Sequence, residues 1–158
     1  NPSLKVSFAG SLTHPVREKM MTILGDLEGY HVSQSLGSLD RFRDLTNDSI
    51  FVLCPRGYGL TSFRLYEIIQ MQRIPIYISD DVFLPFTEEI DWDKLGICVS
   101  PDEIDAIPTL VDDCISSGEY LGKIEYGKEV HRKYLTWSGC LETITRIVSD
   151  EYPQLASI

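Results

Sequence analysis

At 158 residues, with 43% hydrophobic and 24% charged, the chain is long enough for one well-buried core and too short to promise two domains. Its formal net charge of −10, from 14 basic and 24 acidic residues, argues against binding nucleic acid or anionic lipid through the general field, so any anionic ligand needs a local basic site. The four cysteines are widely spaced, with no CxxC and no cluster with His14, His31 or His131, which argues against a structural zinc site.

Leu4–Ala9 (LKVSFA) reads as a strand that ends at Gly10-Ser11. Pro15 to Leu27 follows with Val16, Met20, Ile23, Leu24 and Leu27 on one side, the spacing of a helix with one apolar face. A short strand near Tyr30–Ser33 and a short helix over Asp40–Thr46 lead to Ile50–Cys54 (IFVLC), an uninterrupted apolar run of the kind expected for a strand covered on both faces. Thr61 or Ser62 can cap the next helix, which runs to about Arg73 with Leu65, Ile68, Ile69 and Gln72 as its inward stripe. Pro75 opens a second buried strand, Ile76–Ser79, which stops at Asp80-Asp81. A weaker strand over Gly96–Val99 and a helix from Pro101 toward Ser117 come next. The segment of about 119–150 is expected to be mostly helical, broken near Gly127 and Gly139. Cys54 and Cys98 lie inside apolar runs and read as small buried hydrophobes. There is no internal repeat, no long uncharged apolar run and no signal-peptide pattern, so the chain as given reads as soluble. It opens at Asn1 almost directly on a strand, which suggests a domain cut from a longer protein.

Strands alternating with helices at this spacing predict an α/β fold: a Rossmann-like parallel sheet with helices on both faces, in a single domain over 1–158. Ligands of such sheets bind at the carboxyl ends of the strands, and CPRGYGLTSFRLYE, Cys54 to Glu67, lies at one of them. Charge is distributed to match. Arg41 to Arg73 holds five of the eight arginines against three acids, while Asp80 to Glu119 carries twelve acids and one lysine, a run that serves as a solvated face or an interaction surface.

Glycines allow a ligand to approach the backbone of this loop, and the helix that begins near Ser62 points free N–H groups and the positive end of its dipole into the same space. A phosphate would fit there. Arg56 in the turn and Arg64 in the first helical turn each offer a fork of donors to diphosphate oxygens. The alternative is that Arg64 and Glu67, one turn apart on the same face, form a surface ion pair and the glycines merely turn the chain. A dinucleotide site is a second alternative: Gly57-Tyr58-Gly59-Leu60-Thr61-Ser62 is GxGxx with Ser in place of the third glycine, and Asp80 or Asp81 stands where a ribose-binding acid is expected. The serine would crowd the close helix–strand packing of that motif, and flanking arginines are foreign to it. A Walker phosphate loop is excluded, since no GK[ST] is present.

The run from Ser49 to Phe86, SIFVLCPRGYGLTSFRLYEIIQMQRIPIYISDDVFLPF, resembles the carboxyl-terminal half of exostosin-like glycosyltransferases. The resemblance rests on Pro55-Arg56-Gly57, Ser62-Phe63-Arg64-Leu65-Tyr66-Glu67, Ile74-Pro75, Ser79-Asp80 and Leu84-Pro85-Phe86, extended by Phe8-Ala9-Gly10 and Arg17 upstream and Ile90-Asp91-Trp92 downstream. It covers roughly Val6 to Val99 and is most specific in the middle; the C-terminal helices carry no motif of the family.

The resemblance implies a GT-B architecture of two Rossmann-like domains, of which this is the one that holds a nucleoside-diphosphate sugar, with inverting transfer to a glycan or other hydroxyl acceptor and neither bound metal nor cofactor. Carried over by residue, Arg56, Gly57, Ser62 and Arg64 would hold the diphosphate, with Arg17 as a further phosphate contact, and Glu67 would bind the ribose hydroxyls. The catalytic base stays unassigned: His14, Asp80 and Asp81 are the candidates, and in such enzymes the base usually comes from the amino-terminal domain, so a missing domain or partner subunit is expected to complete the site. A non-catalytic Rossmann-like nucleotide-binding or protein-interaction module is the reading from a different class. The compartment is left open between cytoplasm and, for a chain excised from a eukaryotic parent, the Golgi lumen.

Overall fold

The structure is a computed structural model that describes residues 2–35, 37–59 and 61–153. Leu60, inside the glycine loop, lies outside the described residues.

Five strands build one parallel sheet: β1 (Leu4–Ala9), β2 (Tyr30–Ser33), β3 (Ser49–Pro55), β4 (Ile74–Ile78) and β5 (Ile97–Val99), in the spatial order β2-β1-β3-β4-β5. The helices are α1 (Pro15–Leu24), α2 (Leu39–Asn47), α3 (Phe63–Gln70), α4 (Trp92–Leu95), α5 (Ile107–Ser116), α6 (Glu119–Val130) and α7 (Trp137–Glu151). A 3-10 turn over Pro101–Ala106 leads into α5, and a π-helical turn over His131–Leu135 separates α6 from α7. The continuous apolar runs of the two central strands follow from covering both faces. Phe51, Leu53, Ile74, Ile76 and Ile78 join Val6 and Phe8 of β1 against α1 and α5. On the other face Val52 and Cys54 meet Ile68 of α3, while Tyr77 meets Leu65 and Ile69 of α3 and Val130 of α6. Each fully buried side chain of this size contributes about 1.5–3 kcal/mol, which fixes the strand order and with it the position of the loops at the carboxyl edge.

Several local expectations differ. Helix α1 ends at Leu24, not Leu27, which lies exposed beyond it. Helix α3 ends at Gln70, not Arg73, because Gln72 takes a left-handed backbone (φ 58°) and the Gln72 and Arg73 N–H groups turn back to the carbonyls of Ile69 and Ile68, which leaves Gln72 exposed. Pro75 sits inside β4, not before it, paired with Val52 of β3. Cys98 is exposed on the short edge strand β5, while Cys54 is fully buried. Gly127 breaks nothing, and the one break in the C-terminal helical segment, the extended residue Thr136, falls just before Gly139. Gly127 lies buried within α6, and Gly139 lets α7 pack on the π turn, where a Cβ would stand 2.2 Å from the Lys133 carbonyl oxygen. No helix among the described residues is long and apolar enough to cross a membrane.

Candidate functional site

The chain leaves β1 toward β2 on one side and returns to β3 on the other, so the carboxyl ends of β1 and β3 flank the point where the strand order reverses. Crevices at such points are the usual ligand sites of open α/β sheets. Two loops line this one, residues 10–14 after β1 and 56–62 after β3, and a cavity of about 400 Å³ opens between them, walled by Thr13, Arg17, Gly57, Ser62, Arg64 and Glu67 among others.

Arg17 ties the two loops together. Helix α1 starts at Pro15 behind His14, whose Nδ1 accepts the Val16 N–H at 3.3 Å, and this places Arg17 in the first turn. Its Nη1 donates to the Ser11 carbonyl at 2.8 Å, its Nε to the Arg56 carbonyl at 3.0 Å and its Nη2 to the Pro55 carbonyl at 3.3 Å. Burial, then repulsion from Arg64, holds its pKa below the ordinary arginine value. Part of its donor capacity remains for a ligand.

Arg64 is the most constrained cation of the site. Its guanidinium is sandwiched between two rings, 4.8 Å from the Phe8 centroid and 5.1 Å from that of Phe42. A Cβ on Gly10 would come within 3.1 Å of both terminal nitrogens, so only glycine leaves the group its place. Its Nε and Nη1 are buried with no hydrogen-bond partner, and no carboxylate among the described residues lies in ion-pair range. Burial lowers its pKa, partly offset by Cys54 and Glu67. The Arg64–Glu67 surface ion pair is therefore not formed; Glu67 is exposed on the cavity edge, acting on Arg64 only through its charge at longer range. The stacked rings attract the cation by about 1–2 kcal/mol but leave its buried donors unsatisfied, each at a cost of about 1–3 kcal/mol.

Ser62 occupies the N-cap position of α3 in extended backbone, buried, and its side chain makes no capping bond. The first-turn N–H groups of α3 thus lack a side-chain cap beside the cavity. Gly57 acts through proximity: neither it nor Gly59 takes a left-handed backbone, and a Cβ on Gly57 would stand 3.2 Å from Arg17 Nη2 and 3.4 Å from Thr13 Oγ1.

Arg56 turns elsewhere. Its backbone N–H extends the ladder to the Ile78 carbonyl at 3.0 Å, and its guanidinium pairs with Asp80 beyond β4; it does not line the cavity. That hydrogen bond from Arg56 holds the Asp80 carboxyl below the usual carboxylate range, with smaller help from His14. Asp81 caps the turn after β4 through its backbone: its carbonyl accepts the Ser79 hydroxyl at 2.6 Å and its N–H donates to the same oxygen at 3.3 Å. The structure thus brings Arg17, Gly57, Ser62, Arg64 and Glu67 to one cavity and sets Arg56, Asp80 and His14 beside it. Sequence reasoning missed Phe42 and Thr13, and saw Phe8 and Gly10 only as family residues; the pairing of a buried arginine with ring-bearing residues of other elements has no local signal. No group of three or more His, Cys, Asp or Glu among the described residues is arranged to hold a metal ion. Chemically, two guanidinium groups and an uncapped helix N-terminus, without a counter-charge at Arg64, suit an anion.

A family description, the exostosin GT47 domain, matches residues 3–114. A probable glucuronosyltransferase of Oryza sativa subsp. japonica is 41% identical over 63 residues, 40% of this chain and 15% of that protein. The exostosin-1 homolog of Caenorhabditis elegans is 40% identical over 70 residues, 44% of this chain and 18% of the relative. A probable beta-1,4-xylosyltransferase of Arabidopsis thaliana is 36% identical over 63 residues, 40% of this chain and 14% of the relative. The matched segments thus span less than a fifth of each of these proteins.

Proposed function

The chain belongs to the exostosin GT47 family, and from that premise we propose that it forms the donor-binding part of a glycosyltransferase, holding a nucleoside-diphosphate sugar whose sugar passes to a glycan or other hydroxyl acceptor. The observation that carries this reading is the Arg64 guanidinium, buried between Phe8 and Phe42 with two donors unpartnered. A diphosphate beside it supplies the missing counter-charge. Arg17 and the first-turn N–H groups of α3 face the same space, Gly57 and Ser62 keep it open, and Glu67 is left to accept the ribose hydroxyls. Arg56 joins by exchanging Asp80 for a phosphate oxygen.

In the proposed transfer the acceptor oxygen forms its bond to the anomeric carbon from the face opposite the diphosphate, the carbon–oxygen bond to the diphosphate breaks, and the configuration inverts. The leaving diphosphate gains negative charge, which guanidinium groups and a helix N-terminus stabilise without a resident metal or cofactor. The acceptor proton needs a base within hydrogen-bond reach. His14 Nδ1 is occupied as a helix cap and Asp80 is engaged by Arg56. This favours a base and an acceptor seat supplied by another domain or subunit. Neither the acidic surface nor the fold favours a nucleic-acid partner.

A thermal-shift panel of nucleoside diphosphates, their glucuronic acid and xylose conjugates, and NADH tests the reading, because a ligand of the native state raises its melting temperature by mass action. Nucleoside diphosphates and their sugars are expected to stabilise the chain. A shift with NADH alone, or with none of them, contradicts it.

A further inference from the structure

The charged groups of the crevice stand in a fixed order. Glu67 acts on Arg64 through its charge, Arg64 repels Arg17, and Arg17 Nε donates to the Arg56 carbonyl at 3.0 Å. Arg56 Nη1 then pairs with the Asp80 carboxylate. One acid, three arginines and a second acid thus follow one another from α3 to the end of β4. A nucleoside-diphosphate sugar carries the complement in the same order: ribose hydroxyls, a diphosphate, sugar hydroxyls. Carboxylates accept from hydroxyls, and guanidinium groups donate to phosphate. Once Glu67 takes the ribose, the carboxylate left for the other end of the donor is Asp80.

The Arg56–Asp80 pair is built to be exchanged. The Asp80 side chain is 54% exposed, where an ion pair is worth little, whereas Arg56 is only 14% exposed and its Nε is buried without a partner. The pair therefore leaves a buried donor unsatisfied, and a phosphate offers Arg56 more acceptor oxygens than one carboxylate oxygen does. Nor is Asp80 needed as a brace. The ladder between β3 and β4 already runs on through the Arg56 N–H to the Ile78 carbonyl, and the turn after β4 is held by the Ser79 hydroxyl and the Asp81 backbone.

We propose that Asp80 is a specificity residue for the donor's sugar: the diphosphate draws Arg56 away, and the released carboxylate accepts two neighbouring hydroxyls of the sugar, one on each oxygen. The inference rests on the donor-binding reading above and adds to it the residue that recognises the sugar and the feature recognised. A carboxylate at this place favours a sugar edge that carries hydroxyls and repels one that carries an acid group, so a glucuronic acid conjugate must turn its own carboxylate away from Asp80.

Titration calorimetry of pyrophosphate, nucleoside diphosphates and their xylose conjugates into wild type and Asp80→Asn tests this, because the two halves of the proposal carry opposite signs. Arg56 has no carboxylate to leave in the variant, so pyrophosphate and nucleoside diphosphates are expected to bind about threefold more tightly. The affinity of a xylose conjugate relative to its own nucleoside diphosphate should fall about tenfold. Asp80→Ser, also uncharged, should lower the same ratio, and circular dichroism checks the fold of both variants. A ratio that both variants leave unchanged overturns the proposal. So does an equal loss of affinity for every ligand, which would make the pair a structural brace. Wild type that binds no diphosphate at all overturns the donor-binding reading and this inference with it, whereas an unchanged ratio in a chain that binds diphosphates removes the role of Asp80 alone.

Discussion

The central carbon of the Arg64 guanidinium lies 4.8 Å from the centroid of the Phe8 ring, a cation stacked on the first strand of the sheet with no counter-charge of its own. Such a group destabilises the empty protein and, on the proposed reading, would stabilise the liganded one. Arg64→Met keeps the stacking volume and removes the orphaned donors, so it is expected to raise the stability of the ligand-free chain by about 1 kcal/mol, or roughly 2–4 °C in melting temperature, while nucleoside diphosphate binding is lost. Calorimetric melting with and without ligand checks both halves; a less stable ligand-free variant contradicts the account of Arg64 as an unsatisfied cation.

Gly10→Ala tests how that cation is held. The added methyl would sit 3.1 Å from both terminal nitrogens of Arg64, and the side chain must tilt off its rings to make room. Because Gly10 does not take a left-handed backbone, the fold should tolerate alanine within about 1 kcal/mol. Nucleoside diphosphate affinity should fall about tenfold, read by titration.

In the proposed site Glu67 is the residue that should distinguish the nucleoside from its phosphates. Its carboxylate is exposed on the cavity edge and makes no ion pair with Arg64, so on the proposed reading it can accept sugar hydroxyls. Glu67→Gln is expected to weaken nucleoside diphosphate binding by about 1–2 kcal/mol and to leave pyrophosphate binding unchanged. Equal losses for both ligands would assign Glu67 to the phosphates or to the fold.

Cys54 sets an alkaline limit. Burial pushes its thiol from 9.0 up to about 12, against the pull of Arg64. The folded value exceeds the unfolded one, so its contribution to stability is whole below pH 9.0 and is lost as pH rises from there toward about 12, while the unfolded chain releases its proton first. Urea unfolding across that window should show the decline, and Cys54→Ala should flatten it at some cost from the cavity. A thiol reagent at neutral pH should modify the exposed Cys98 in the folded chain and reach Cys54 only on unfolding.

The strands over Ile50–Cys54 and Ile76–Ser79 were legible in outline because covering both faces leaves an uninterrupted apolar run, although the second begins at Ile74 and takes Pro75 inside it, and the parallel order followed from the helices between them. The end of α3 was not legible, since glutamine at position 72 gives no sign of a left-handed turn. Cys98 looked buried because an edge strand of three residues carries the same apolar signature as a central one. At the site, Gly57, Ser62, Arg64 and Glu67 could be read because one loop and one helix supply them all. What holds Arg64 in place comes from two distant segments, Phe8 and Gly10 at the end of β1 and Phe42 on α2, that only the folded chain brings together. Arg56 was read as a phosphate ligand from its place in the loop; its partner Asp80, 24 positions later, becomes a neighbour only through the pairing of β3 with β4.

On the proposed reading, catalysis is not expected of this chain alone. An inverting transfer needs a base and an acceptor held in line, positioning that can supply several kcal/mol of the barrier. The isolated chain is therefore expected to bind donor weakly and to transfer no sugar at an appreciable rate. Robust turnover by the 158-residue chain, lost in Arg64→Ala, would place the base on His14, Asp80 or Asp81 after all.

Isothermal titration of nucleoside diphosphates into wild type and Arg64→Ala tests the central claim most directly. Wild type should bind at least one of them, with an affinity that falls by roughly 2 kcal/mol, about thirtyfold, in the variant while its fold is unchanged. Wild-type binding that Arg64→Ala leaves untouched, or no binding by wild type at all, would contradict it.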